Sequence, residues 1–345
     1  MRKKRSLIFL IIAGLFYAAS SFYYLPYYVS KPGMAKELEP IIEVENGYDG
    51  KGSFMLTTIR MGKANIYSYA LAKLSKYQEI YSIDEIRGED ESDEEYNVRQ
   101  LHMMDSSKTN AIEVAYKKAG LPVKFRFNGI YVLHIVPGMP AEGKLKPGDR
   151  IVKIDGKSFE SMRQFIDYVN TKKAGEKVSV TYERKGHKET ASLEVAPFPK
   201  NKKKIGIGIG LVDDKEIVVK PKVTIDTEEI GGPSAGLMFS LEIYDQLTKT
   251  DLTKGYKIAG TGTISPDGTV GRIGGIDQKV VAADKAGAEI FFAPNENGAE
   301  DSNYRLAVKT AKEIDSDMEI VPVDTFDDAV KYLEKLQPKN KQGRN

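Results

Sequence analysis

The chain has 345 residues, 41% of them hydrophobic, enough to fill more than one ordinary core, so two soluble domains are the expectation. Its 51 basic against 49 acidic residues leave no electrostatic footprint for nucleic acid. The absence of cysteine excludes thiol catalysis, disulfides and thiolate metal sites together, and three histidines far apart in sequence, His102, His134 and His187, argue against a His-rich metal site. A Ser-His-Asp triad is not excluded by spacing, because triads assemble from distant residues.

The N-terminus, "MRKKRSLIFLIIAGLFYAASSFYYLPYYVS", has four basic residues in its first five and then no charge from Ser6 to Ser30. Such a run is long enough for a helix to cross the hydrocarbon core. The basic cluster would stay cytoplasmic, and Tyr23, Tyr24, Tyr27 and Tyr28 would sit at the outer interface. A cleaved signal peptide is the rival, with small residues at Ala18-Ala19-Ser20; either reading exports the remainder of the chain. The expected organisation therefore begins with a single-pass cell-membrane anchor over residues 1–30, its N-terminus cytoplasmic and the rest outside.

Beyond it come a strand around Phe54 to Ile59 and a helical stretch from Ile66 to Leu74. Gly50-Lys51 does not make a phosphate loop, since position 45 is Glu and Gly52 stands where Ser or Thr is needed. "GEDESDEEYN", Gly88 to Asn97, reads as a solvated loop without the ligand spacing of an EF-hand, and Ser106 to Gly120 as a helix with a glycine stop. From Leu121 the pattern turns to short β segments, with turns at Pro137-Gly138 and Pro147-Gly148. A helix comes next whose apolar face carries Met162, Phe165, Ile166 and Val169, then a hairpin turning at Lys185-Gly186. "PFPKNKKK", Pro197 to Lys204, reads as an exit linker, and "GIGIG", Gly206 to Gly210, as a Gly-rich strand.

The "VPGMPAEGKLKPGDRIVKIDG" segment resembles PDZ domains over about Leu121 to Val195. That resemblance implies capture of an extended peptide at a sheet edge, with the carboxylate loop near Ala119 to Phe125; the alternative is a β module that only orients its neighbours.

In "EIGGPSAGLMFSLEIY" a serine stands at the mouth of an apolar helix, and Ser234 is either a helix cap or a nucleophile. Downstream, "GTVGRIGGI" reads as turn, short strand and a glycine pair opening a helix at Ile276. On that helix Lys279 shares a face with Ala282, Ala283 and Ala286, while Gln278, Lys285 and Glu289 share a polar face. An inward lysine would lose its proton and could serve Ser234 as general base; the alternative is a stem lying on the alanines with its ammonium in water.

The two stretches "VTIDTEEIGGPSAG" and "GTGTISPDGTVGRIGGIDQK", in this order, resemble the proteolytic domain of Lon-type serine proteases. The resemblance implies that Ser234 is the nucleophile, Lys279 the general base and Thr261 the residue holding the lysine, with Gly232, Pro233 and Ala235 forming the oxyanion turn. The family commonly has Asp at Gly231 and Glu at Thr263, so substrate positioning by those acids is not carried over. Anchor, PDZ and Lon-type domain in one chain resemble the YlbL-type, PDZ-containing Lon-like serine proteases.

The resulting expectation is an α+β chain: a transmembrane helix, residues 31–120 as the start of the protease domain, an inserted β-rich PDZ domain over 121–198, an α/β Lon-type domain over 199–336 and a polar tail over 337–345. The function expected is ATP-independent serine endopeptidase at the membrane, acting on peptides or unfolded proteins, with neither cofactor nor metal; a non-catalytic, membrane-tethered peptide-binding adaptor is the alternative. A hexameric ring is implied by resemblance alone.

Overall fold

The computed structural model describes residues 20–88, 91–227 and 230–339, together with Ile11 and Gly14. The chain divides into two compact units, one comprising Met1–Asp90, Thr224–Asp226 and Ser234–Asn345, the other Glu91–Val223 and Thr227–Pro233.

The first unit is built on a six-stranded mixed sheet. Its order is Glu319–Val323, Ile290–Pro294, Lys257–Gly260, Ser53–Asn65, Tyr24–Glu37 and Glu79–Ser82. The first three strands and Ser53–Asn65 run parallel, while Tyr24–Glu37 is antiparallel to both of its neighbours. "IFFAP" at Ile290–Pro294 is buried throughout, as a continuous apolar run in a covered parallel sheet requires. Helix Ile276–Lys285 packs Ile276, Val280 and Ala283 into the core with Met55, Ala259 and Phe291. Its Asp277 stands in the first turn and Lys285 in the last, both favourable to the helix dipole.

Helix Gly236–Leu247 is apolar on most sides and buries Glu242 and Asp245 as well. Burial pushes the Glu242 carboxyl up to about 7 and that of Asp245 up to about 6. An acid whose folded pKa lies above its unfolded value holds a proton that the unfolded chain has released, so stability falls as pH rises from about 4.5 through about 7. Glu242→Gln keeps an acceptor for the Gln246 amide, which donates to Glu242 Oε1 at 2.6 Å. Thermal unfolding of this variant is expected to show Tm raised by a few degrees at pH 8 and scarcely changed at pH 4; a lower Tm at pH 8 would refute the buried-carboxylate account.

The second unit has a five-stranded antiparallel sheet in the order Ile209–Val218, Lys124–Ile135, Arg150–Ile154, Lys177–Arg184 and His187–Glu194. Alternation along Lys177–Arg184 puts Val178, Val180 and Tyr182 inward, against Phe165 and Val169 of helix Met162–Asn170. The hairpin turns at Lys185 and Gly186, both at positive φ. Gln100 accepts the Gly232 amide hydrogen at 3.0 Å on its backbone carbonyl, and the Ser107 hydroxyl donates to the Pro233 carbonyl at 3.0 Å.

Several expectations change. The end of the uncharged run belongs to a sheet strand, Tyr24–Glu37, in which Tyr28, Val29 and Ser30 are buried. Hydropathy alone does not distinguish a membrane-exposed apolar segment from a strand buried in protein: Tyr28 is buried in the sheet, and Tyr27 packs its ring 5.2 Å from that of Tyr69. Most of the predicted span lies outside the described residues, and no described helix is long and apolar enough to cross a membrane. The acidic run is half helix: Asp93–Lys118 starts there, capped by Ser92, whose side chain accepts from Glu95 N while the Glu95 carboxylate accepts from Ser92 N. Carboxylates in a first turn complement the dipole. "PFPKNKKK" is a hairpin, Ala196–Phe198 against Asn201–Gly206, rather than a linker. Accordingly the unit containing the predicted PDZ begins at Glu91 and continues to Val223, beyond the expected 121–198.

Candidate active site

Ser234 lies just before helix Gly236–Leu247, whose N-cap is Ala235 in a right-handed conformation with no side-chain cap. The serine hydroxyl therefore does not cap. Its carbonyl is held from two sides, by the Gly262 amide and the Thr261 hydroxyl, each donating at 2.9 Å. Leu237 N in turn donates to Gly262 O at 3.1 Å. "GTGT" is thus a clamp on the serine turn, and it needs glycine at its centre: at Gly262, φ +156, a Cβ would meet Val270 Cγ1 at 2.7 Å. Gly232, at φ +88, makes the turn before Pro233 in the conformation that glycine adopts without steric cost.

Lys279 is 3% exposed, and its ammonium position is surrounded by three oxygens: Ser234 Oγ at 2.9 Å, the Thr57 carbonyl at 3.0 Å and Thr261 Oγ1 at 3.3 Å. Burial pushes its pKa down to about 7. A neutral amine has two N–H donors and one lone pair. The Thr57 carbonyl can only accept, and the Thr261 hydroxyl hydrogen is given to Ser234 O, so both receive amine hydrogens. The lone pair is left for the Ser234 hydroxyl. That arrangement can take the proton of a serine as its oxygen attacks an electrophile.

Thr57 escapes a motif reading because its contribution is a backbone carbonyl. It stands on strand Ser53–Asn65, and its hydroxyl donates to Gly260 O at 3.0 Å, tying that strand to the residue before Thr261. Gln278 is fully buried, not on a polar face; its Nε2 donates to Ser30 Oγ at 2.8 Å and fixes the lysine helix to strand Tyr24–Glu37. Of the predicted oxyanion trio, Gly232 has its amide engaged by Gln100 O and Pro233 has no N–H, so of the three only the Ala235 amide remains as a candidate donor. The histidines belong to the second unit: His102 stacks on Tyr131, His134 faces Glu95 at 3.4 Å and His187 pairs with Arg184 in the hairpin.

Comparison with known families matches residues 100–195 to the PDZ domain and residues 168–335 to the Lon protease (S16) C-terminal proteolytic domain. A Lon protease of Metamycoplasma arthritidis is 31% identical over 155 residues, covering 45% of this chain and 17% of that protein. A Lon protease of Campylobacter concisus is 39% identical over 100 residues, covering 29% and 12%. The chain thus spans less than a fifth of the length of either relative. Among solved structures, the PDZ domain of an SdrC-like protein from Listeria innocua is 40% identical, covering 24% of this chain and 93% of that one at a TM-score of 0.23. The two matches together, a PDZ domain and the Lon protease (S16) C-terminal proteolytic domain in one chain, support a PDZ-containing Lon-like protease.

Proposed function

We propose that the chain is a serine endopeptidase that works without ATP, is tethered to a membrane by its N-terminal segment, and cleaves peptides or locally unfolded chains selected by the PDZ domain. The observation that carries the chemistry is the 2.9 Å approach to Ser234 Oγ of a buried lysine whose pKa burial lowers to about 7. Ser234 Oγ attacks the scissile carbonyl carbon while its proton passes to Lys279 Nζ; the resulting ammonium then protonates the leaving amine. Water, deprotonated by the same lysine, attacks the acyl ester and regenerates the serine. The Ala235 amide, at the positive end of its helix, would hold the oxyanion. The tether rests on the basic cluster and the uncharged run behind it, and independence from ATP on the lack of a phosphate-loop signature in this sequence.

The test is the pH dependence of peptide cleavage by the full chain in detergent without nucleotide. Only the neutral lysine is active, so kcat/KM should rise about tenfold per pH unit below an ascending limb near 7 and level off above it. Activity independent of pH from 5 to 9, or present only with ATP, would count against this reading.

A further inference from the structure

Helix Ile66–Leu74, IYSYALAKL, is apolar nearly all round, and its one charge is Lys73. A helix of that kind belongs under cover on every side. Within the first unit only one side is covered: Tyr69 and Ala72 pack with Val29, Ala64 and Ile80. On the other side Ile66, Ala70, Leu71 and Leu74 are exposed, Leu71 at 62% and Leu74 at 86%. Ile66, Ala70 and Leu74 succeed one another at i, i+4 spacing, so they form a single stripe, with Leu71 beside it.

What borders the stripe points to what covers it. The uncharged run that begins at Ser6 arrives at this helix: Ser20 Oγ and Tyr67 Oη are 2.6 Å apart, and Asn65 Nδ2, at the helix N-cap, donates to the Ser21 carbonyl at 3.1 Å. Phe22, Tyr23 and Tyr24 come next, all three exposed. Exposed aromatic rings beside an apolar helix face match the headgroup level of a bilayer. The charges around them have one sign. No acidic residue occurs between Lys51 and Gln78, and Arg60, Lys63 and Lys73 are exposed. Their stems can lie along apolar surface while the cations meet lipid phosphates. A second copy of the chain docked on the same face would set these cations against their own kind.

We infer that the outer face of helix Ile66–Leu74, together with Phe22, Tyr23 and Tyr24, docks on an anionic bilayer surface, so that the first unit lies on the membrane instead of swinging from it. The inference rests on the tether proposed above, which brings this patch to the surface but does not by itself lay it down. Thr57, whose carbonyl meets Lys279, stands on the strand that leads through Asn65 into the helix. At 3.3 Å per residue the two are about 26 Å apart along the strand, so docking holds Lys279 within roughly that distance of the lipid, in reach of chains still attached to it.

The chain has no cysteine, so Leu74→Cys carries an environment-sensitive fluorophore without background labelling. The labelled full chain is reconstituted into vesicles of phosphatidylcholine and phosphatidylglycerol, with a lipid-borne quencher placed either near the headgroup or near the acyl-chain end. The emission should shift to the blue and be lost mostly to the shallow quencher, since interfacial helices lie about 5–10 Å into the headgroup and acyl boundary. A label at Glu334→Cys should stay in water; that exposed residue lies on helix Phe326–Lys335, which packs at the opposite edge of the sheet. Ile66→Glu with Leu71→Glu should return the Leu74→Cys label to water, while the chain keeps the parent's Tm and still floats with the vesicles on its tether. A label in water on a parent chain that floats would overturn the docking and leave the tether standing. A blue-shifted label that neither quencher reaches would be covered by protein, a second copy or the chain's own N-terminal segment, and would overturn it as well. A parent chain that does not float would remove both readings. Quenching in the parent, with a double variant that no longer floats, would support the docking and remove the tether.

Discussion

Lys279→Met is expected to lower peptide cleavage by about 10³-fold or more while raising, not lowering, stability at acid pH. The loss follows from removing the one lone pair directed at Ser234 Oγ; general-base contributions are of this size. The stability change follows from linkage. The lysine's folded pKa, about 7, lies below its unfolded value of 10.5, so the unfolded chain binds the extra proton throughout that window. Stability therefore rises with pH from about 7 to about 10.5 and carries its full deficit below 7, on the order of 5 kcal/mol before the lost hydrogen bonds are counted. Methionine fills a similar volume without the charge but leaves the Thr57 carbonyl without its amine partner, which offsets part of the gain. Denaturation at pH 6 and pH 9 should show the variant's advantage at pH 6 and its shrinkage at pH 9. A variant that is inactive and also less stable than wild type at pH 6 would identify Lys279 as a structural support instead of a buried base.

Ser234→Ala should have the larger catalytic effect, about 10⁴-fold or more, because it removes the atom that forms the acyl bond while the lysine, the clamp and the turn remain. The clamp holds the backbone carbonyl of Ser234 through Gly262 and Thr261, and alanine preserves that carbonyl, so Tm should be close to wild type. Residual cleavage within tenfold of wild type, measured on protein free of contaminating peptidase, would remove Ser234 from the mechanism.

The parts legible in the sequence are those in which local pattern and global packing ask for the same residue. Gly-Pro-Ser-Ala-Gly before an apolar helix and Lys279 on an alanine face each have a second reading when taken alone. In the structure the lysine does face inward, and its burial is what lowers its pKa to about 7. Helical periodicity misplaces Gln278 because it sorts residues by face without knowing how deeply a helix is sunk; this helix is buried around Gln278 too. The partners that sequence reasoning misses act through backbone or through long-range pairing. Thr57 contributes a carbonyl that any residue would carry, and Ile209–Val218 reads as a separate Gly-led strand until its ladder with Lys124–Ile135 is seen.

The N-terminal boundary is hidden for a related reason. Tyr28 to Ser30 is uncharged where the strand is buried, with Ser30 Oγ accepting from Gln278 of helix Ile276–Lys285. Apolarity signals exclusion from water and not the medium that excludes it. Likewise, the acidic stretch before Tyr96 is polar on every residue, yet Ser92 and Glu95 form a capping box that the spacing already offers.

Acylation of Ser234 with Lys279 as its base can be read out by covalent labelling. The full chain is treated with a serine-directed acylating probe from pH 5 to 9, and the adduct is followed by intact mass and located by peptide mapping. One adduct per chain is expected, on Ser234, with a labelling rate that rises through pH about 7 and is abolished by Ser234→Ala. An adduct that persists in Ser234→Ala, or a Ser234 adduct whose rate in Lys279→Met equals that of wild type, would contradict it.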